Sequence, residues 1–364
     1  MSEKNTPFHG SDLEKIEKIY KIKKEEIISF SSNVNPLGIS DKLKKELSLK
    51  LDCLSNYPDR EYVELRQAMG NYCQINPDNI FLGNGTSDLI SKFIRLINPS
   101  KALILGPTYS EYEREVKLCN GEAKYFELKE SDDFKLDFDA FAKELSNCYD
   151  LLVICNPNNP TSSAIDNITI KKILDLCKEY NTFLIIDETY VEFCSQVDKI
   201  SSVKLTQDYD NLLVLRGVSK FFAAPGLRLG YGINSSDSLK AQIENKKEPW
   251  NINTLAEEAG KLMFSDNEYI EKTKNLISQE RKRLYEIFSK SSLYKPYRAE
   301  ANFILLKILD DNIKSGYIFE KAIKEKMMIR DCQTFPFLND SYIRFCILNK
   351  NDNDKLVECL LSVR

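Results

Sequence analysis

Histidine and tryptophan are nearly missing from this sequence, with one of each in 364 residues. A single histidine leaves no basis for a His-rich metal centre, so no metal is expected. A basic surplus is missing as well. Lys and Arg number 51 against 55 Asp and Glu, a formal net charge of −4. That balance disfavours a nucleic-acid or anionic-membrane partner, because both select excess positive charge. No segment has the uninterrupted apolar length of a membrane span. The opening MSEKNTPFHGSD has no apolar stretch suited to a signal peptide, and a cytoplasmic protein is the expectation. Cysteine is not scarce, at ten residues, but no C-x-x-C pair occurs. Several cysteines lie in apolar runs, such as Cys155 in LLVICN and Cys346 in YIRFCIL. The set is read as reduced, buried small hydrophobes.

What is present points to two domains, since 364 residues exceed one compact core. Residues 101–106 (KALILG), 151–156 (LLVICN), 183–188 (FLIIDE) and 211–217 (NLLVLRG) are near-continuous aliphatic runs of strand length. Such runs suit parallel strands covered on both faces. Between them lie helix-period stretches such as 168–180, with Ile173, Leu176 and Cys177 along one side. The alternation predicts a doubly wound α/β domain with a mostly parallel sheet. From residue 249 the texture changes. Ile270, Ile277, Leu284 and Phe288 recur at helical spacing through a Lys/Glu/Arg-rich segment, which predicts a long amphipathic helix with a solvated charged face. Three strand candidates follow at 302–308, 327–332 and 342–348, and they suggest a smaller α+β domain.

The densest chemical cluster is Ser219-Lys220 followed by residues 225–230 (PGLRLG). An amine just past an apolar strand can form an imine with an aldehyde, and Ser219 with Arg228 can hold a phosphate. The competing reading is a surface lysine beside a glycine turn. Asp187 ends an aliphatic strand in FLIIDETY, where an uncompensated carboxylate is costly. It is either a helix N-cap or an anion facing a buried cation such as a protonated pyridine nitrogen, with Tyr190 in reach of the same ligand. Residues 156–161 (NPNNPT) make a stiff turn that aims Asn159 into a crevice, or simply a loop. Residues 83–88 (GNGTSD) lie between the strand-like 79–82 and the helix-like 89–97. Glycines there open onto a helix N-terminus that can seat a phosphate, although a Gly-rich turn alone is weak.

In this order, with PTYSEY at 107–112 after GNGTSD, then NPNNPT, DETY, SK and GLRLG, the motifs resemble the fold-type I pyridoxal 5′-phosphate (PLP) enzymes of the aminotransferase class I/II superfamily. The resemblance covers nearly the whole chain. It implies a doubly wound, mostly parallel seven-stranded sheet with a smaller α+β domain. The implied boundaries are an N-terminal segment 1–40 packing with the small domain, a PLP-binding domain 41–245 and a small domain 246–364. It implies PLP on Lys220 as the Schiff-base lysine, Asp187 as partner of the pyridine nitrogen, and Asn159 and Tyr190 as ligands of the ring hydroxyl. Tyr109 resembles the stacking aromatic. Gly85, Thr86, Ser87, Ser219 and Arg228 resemble the phosphate cup, completed by Tyr57 from the partner of a homodimer. Arg344 resembles the arginine that pairs with the substrate carboxylate.

The termini narrow the resemblance. Residues 8–10 (FHG), 28–38 (ISFSSNVNPLG), 248–256 (EPWNINTLA) and 328–335 (MIRDCQTF) are similar to threonine-phosphate decarboxylases of cobalamin biosynthesis. On that likeness His9, Gly10, Asn33, Asn159, Arg330 and Arg344 would contact a phosphorylated amino acid, with His9 and Arg330 near its phosphate. The competing reading of His9 is a terminal side chain without a role. Ser11 and Ser162 stand where that family usually has glycine, and 190–193 (YVEF) is closer to the histidinol-phosphate aminotransferases. Three functions follow from the resemblance. The first is decarboxylation of L-threonine O-3-phosphate to (R)-1-aminopropan-2-yl phosphate. The second is transamination of the histidinol-phosphate type with 2-oxoglutarate and glutamate. The third is a non-catalytic PLP-fold binding module, which a missing DNA-binding appendage disfavours. The two reactions differ in which bond at Cα stands perpendicular to the cofactor ring.

Overall fold

Leu152, Ile154, Leu184, Ile186, Leu212 and Val214 fall in one apolar layer, whereas Leu151, Val153, Ile185, Leu213 and Leu215 fall in another. A strand alternates its side chains between faces, so unbroken aliphatic runs feed both layers at once. In the computed structural model, which describes residues 12–246 and 248–363, these runs form the centre of one sheet. Its strands are β1 (Ile80–Gly83), β2 (Lys101–Gly106), β3 (Glu122–Glu127), β4 (Leu151–Cys155), β5 (Phe183–Asp187), β6 (Leu212–Gly217) and β7 (Gly230–Ile233). They lie in the order β1-β7-β6-β5-β4-β2-β3. Only β7 runs antiparallel to its neighbours. This is the doubly wound, mostly parallel seven-stranded sheet that was expected.

Two of its strands have no aliphatic run to announce them. β3 (EAKYFE) is an edge strand, half exposed along its length, so a polar alternation suffices there. β7 (GYGI) needs its first glycine. A Cβ on Gly230 would lie 2.6 Å from the Gly85 carbonyl carbon and 2.7 Å from the Thr86 nitrogen. Helices Thr86–Ile97 and Asn167–Glu179 occupy the stretches read as helical. The second is capped by Asp166, which accepts from the Thr169 N–H at 2.7 Å.

The long helix appears as Asn267–Phe288, with Ile270, Ile277, Leu284 and Phe288 all buried. Beyond it a four-stranded antiparallel sheet has the order β10-β11-β9-β8, from β8 (Tyr294–Pro296), β9 (Phe303–Ile308), β10 (Arg330–Asp331) and β11 (Tyr342–Cys346). Residues 327–332 are therefore not one strand, and that expectation is corrected. Met327–Met328 pairs in parallel with Ile28–Ser29, and only Arg330–Asp331 pairs with β11. The buried methionines serve one ladder and the half-buried Arg-Asp pair serves the other. The split ties the early chain to this sheet. Phe30 N–H donates to the Met328 carbonyl at 2.8 Å, and Cys346 N–H donates to the Phe30 carbonyl at 2.7 Å.

The cysteine reading also needs correcting in part. All ten are free, and Cys73, Cys155, Cys177, Cys194, Cys332, Cys346 and Cys359 are buried, but Cys53 and Cys119 are only partly so and Cys148 is exposed. Cys148 sits in the turn after helix Phe138–Leu145, where its N–H meets the Leu145 carbonyl, outside any apolar run. Among the described residues no helix is long and apolar enough to cross a membrane.

Candidate active site

β1, β2, β4, β5 and β6 all run in one direction, so the segments that follow them emerge along one edge of the sheet. Open α/β sheets bind ligands at that carboxyl edge. The candidate segments 83–88, 107–112, 156–161, 187–190 and 219–228 all start there.

At one end of the crevice, helix Thr86–Ile97 begins behind Gly85, which has φ +86° and gives no side-chain cap. The first N–H groups of the helix are thus left for an anion. A Cβ on Gly85 would lie 2.3 Å from an Arg228 guanidinium nitrogen, so only glycine lets that cation close over the helix end. Arg228 is fastened to the Pro225 carbonyl at 3.0 Å and the Asn84 carbonyl at 3.4 Å. Burial raises the Tyr109 phenol, against the opposing pull of Ser87. Thr86 packs against the end of β6 at Gly217, and Ser219 lies in the turn just beyond. Sequence-distant motifs thus bring together donors of the kind a phosphate takes.

Farther in, Asp187 ends β5 and is 4 % exposed. Its Oδ1 accepts from Thr189 N–H at 3.0 Å and Thr189 hydroxyl at 2.5 Å, and its Oδ2 accepts from Tyr112 hydroxyl at 2.8 Å. Burial pushes its carboxyl up, against the pull of these donors and of the Lys220 charge. Lys220 donates to the Ser32 carbonyl at 2.6 Å. Burial, then the Arg344 charge, pushes its amine down to about 8, while Asp187 opposes the shift. Each group acts on the other's titration, Lys220 favouring the carboxylate and Asp187 the charged amine.

Arg344 lies on β11, buried, with its guanidinium 5.1 Å from the centre of the Phe303 ring. It donates to Asn159 Oδ1 and, at 2.6 Å, to the Ser31 carbonyl. Arg330 is its direct cross-strand partner and also donates to Thr334 hydroxyl at 3.1 Å. Burial and the nearby Arg344 charge lower Arg330. The Asp331 and Asp12 carboxylates oppose that shift. Tyr190 hydroxyl accepts from Asn33 Nδ2 at 3.3 Å, and burial raises its phenol. Asn33 has φ +56°.

Arg344 Nε, Asn33 Oδ1 and Ser31 Oγ are buried without a hydrogen-bond partner among the described residues. Orphaned donors and acceptors clustered around one crevice fit a polar ligand. The donor set also fits PLP: a helix end and Arg228 for its phosphate, Asp187 for a ring N–H, Lys220 for an aldehyde. Tyr57 is not drawn into this group by the chain itself. It is 79 % exposed, and its ring lies 4.8 Å from that of Trp250. His9 and Gly10 lie outside the described residues.

Sequence reasoning passed over Tyr112, Thr189 and the backbone of residues 31–32. Tyr112 had a signal: it lies three residues after Tyr109, where a helical turn would bring both rings to one side, and the rings meet edge-on at 5.7 Å. Glu188 and Arg216 were also missed. Arg216 donates to Glu188 Oε2 at 3.1 and 2.8 Å, fully inside the protein.

The profile for aminotransferases of class I and II matches residues 25–360. The chain is 31 % identical over 355 residues to the threonine-phosphate decarboxylase of Salmonella typhimurium, covering 98 % of this chain and 96 % of that one. It is 29 % identical to the histidinol-phosphate aminotransferase of Methanococcus aeolicus over 97 % of this chain and 94 % of that one. Among solved structures, the histidinol-phosphate aminotransferase from Clostridium acetobutylicum superposes with a TM-score of 0.84 at 34 % identity, covering 91 % of this chain and 97 % of that chain.

Proposed function

The chain belongs to the aminotransferase class I and II family, and from that premise we propose that it is a PLP-dependent enzyme that decarboxylates L-threonine O-3-phosphate to (R)-1-aminopropan-2-yl phosphate for cobalamin biosynthesis. The observation that carries the substrate is the cross-strand pair Arg330 and Arg344. Threonine phosphate brings two anions, a carboxylate and a phosphate, and two arginines paired across neighbouring strands can take one each. Likeness to the Salmonella threonine-phosphate decarboxylase supports the same reading.

When bound, the cofactor supplies an aldehyde for amines and a ring that draws off the electron pair left at the substrate Cα. The protein's own groups do the rest. Lys220, depressed to about 8, is neutral often enough near neutral pH to act as a nucleophile, and it is a candidate to return a proton to Cα. Asp187 accepts from the ring nitrogen and favours its protonated form by opposite charge. Asn159 gives its carbonyl oxygen to Arg344 and keeps its amide N–H for the ring hydroxyl. Tyr190 accepts from Asn33 and keeps its own O–H to donate. Thr86, Ser87, Ser219 and Arg228 hold the cofactor phosphate, and Tyr109 stacks on the ring. Arg344 takes the substrate carboxylate and Arg330, with His9 and Gly10, the substrate phosphate. The chain divides as 1–40, 41–245 and 246–364, works in the cytoplasm, and forms a homodimer in which the exposed Tyr57 completes the partner's phosphate cup.

A second reading, transamination of the histidinol-phosphate type, is favoured by the 34 % identity to the Clostridium enzyme. Histidinol phosphate carries no carboxylate, so Arg344 would then serve glutamate in the other half-reaction. Purified protein given threonine phosphate, and no keto acid, should release carbon dioxide. Amino-group transfer from glutamate without that release would overturn decarboxylation in favour of the second reading.

A further inference from the structure

Asp187 is buried, and among the described residues no Lys or Arg stands within ion-pair distance of it. Its charge rests on neutral donors. Two of them, the N–H and hydroxyl of Thr189, lie two residues away, and a local turn makes such bonds whatever the rest of the fold does. The third comes from 75 residues off: Tyr112 hydroxyl, 2.8 Å from Oδ2. Tyr112 is 1 % exposed and sits in the first turn of helix Glu111–Leu118. Burial, reinforced by the Asp187 charge, keeps its phenol protonated, so it can only donate to the carboxylate.

A carboxylate has roughly four acceptor positions. Three are filled by Thr189 and Tyr112, which leaves one. We propose that Tyr112 is a positioning residue that fixes the Asp187 carboxylate with a single acceptor position open, aimed at the ring N–H of the cofactor. The segment just before that helix carries Tyr109, whose ring meets that of Tyr112 edge-on at 5.7 Å. One short element therefore sets both the aromatic that covers the ring face and the carboxylate at the ring edge. Any displacement of residues 109–112 would move the two together.

The inference rests on the PLP reading, and the test separates the two. Cofactor-free wild-type protein is titrated with PLP, following quenching of protein fluorescence and the visible band. Wild-type protein that takes up no PLP sinks the functional reading itself. If it does bind, Tyr112→Phe, which keeps the ring and loses only the hydroxyl, should weaken PLP binding about tenfold and shift the pH midpoint of the visible band. In an Asp187→Asn background the same substitution should change binding less than twofold, because no carboxylate remains to be fixed. Equal losses in both backgrounds, or none in either, overturn the proposal. Should Tyr112→Phe not fold, carbon-13 NMR of labelled aspartate in wild-type holoenzyme decides instead. Compared with cofactor-free protein, the Asp187 carboxyl signal should move as its one open acceptor position is filled, and a signal that stays in place when PLP binds overturns the proposal.

Discussion

Asp187 and Glu130 are both carboxylates held by a tyrosine hydroxyl, at 2.8 Å from Tyr112 and 2.7 Å from Tyr297. Their titrations nevertheless run in opposite directions. Glu130 lies on the outer seam after β3, a third exposed, with Lys295 and Lys307 each at 3.1 Å. The Tyr297 hydrogen bond and the two lysines draw it down to about 2. Asp187 is buried, with no Lys or Arg at ion-pair distance among the described residues, and burial drives it up against the weaker pull of Lys220. The hydroxyl is common to both sites. What differs is solvent, so the buried floor of the crevice trades in desolvation and the seam trades in screened charge. The seam also joins 130–134 to the small sheet, with the Phe134 and Tyr297 rings 4.9 Å apart.

That contrast makes the interior substitution the most damaging. Glu188→Ala leaves the Arg216 guanidinium buried with its carboxylate gone, and it should cost about 3–5 kcal/mol in a denaturant melt. A loss within the scatter of surface substitutions would erase the distinction between floor and seam. Lys220 gives the intermediate case. Its folded-state value of about 8 lies below the unfolded value of roughly 10.4, so folding prefers the neutral amine. Cofactor-free protein should therefore gain stability as pH rises from about 8 to 10.4, by about 3 kcal/mol, and Lys220→Ala should flatten the rise. A wild-type curve that stays flat over this window contradicts burial of the amine. Glu130→Gln is the smallest. Glu130 contributes stability above its unfolded value of roughly 4.3, and that contribution fades as pH falls toward 2. With screening it is under about 1 kcal/mol, visible as a shallower acid limb and a weaker response to salt.

The strands that build the crevice were legible because each passes through two apolar layers, and such runs admit few other structures. β3 and β7 were not, since one lies at the sheet edge and the other is half glycine. Lys220, Asp187, Asn159 and Arg228 could be named from motif order, yet motif order says nothing about hydrogen-bond partners. Tyr112 shows this most clearly. It belongs to a motif, but its bond to Asp187 depends on β2 and β5 lying in one sheet, a relation between segments far apart in the chain.

By itself the sequence determined the sheet-forming runs, the amphipathic helices and the residue types able to hold a phosphate, a ring and an amine, because these follow from local periodicity and side-chain chemistry. Only the tertiary structure decided that residues 327–332 divide between two ladders, that Arg330 pairs with Arg344, and that Asp187 rests on Tyr112. Those are pairings across tens to hundreds of residues. Register and burial select them, and neither quantity exists until the chain has folded.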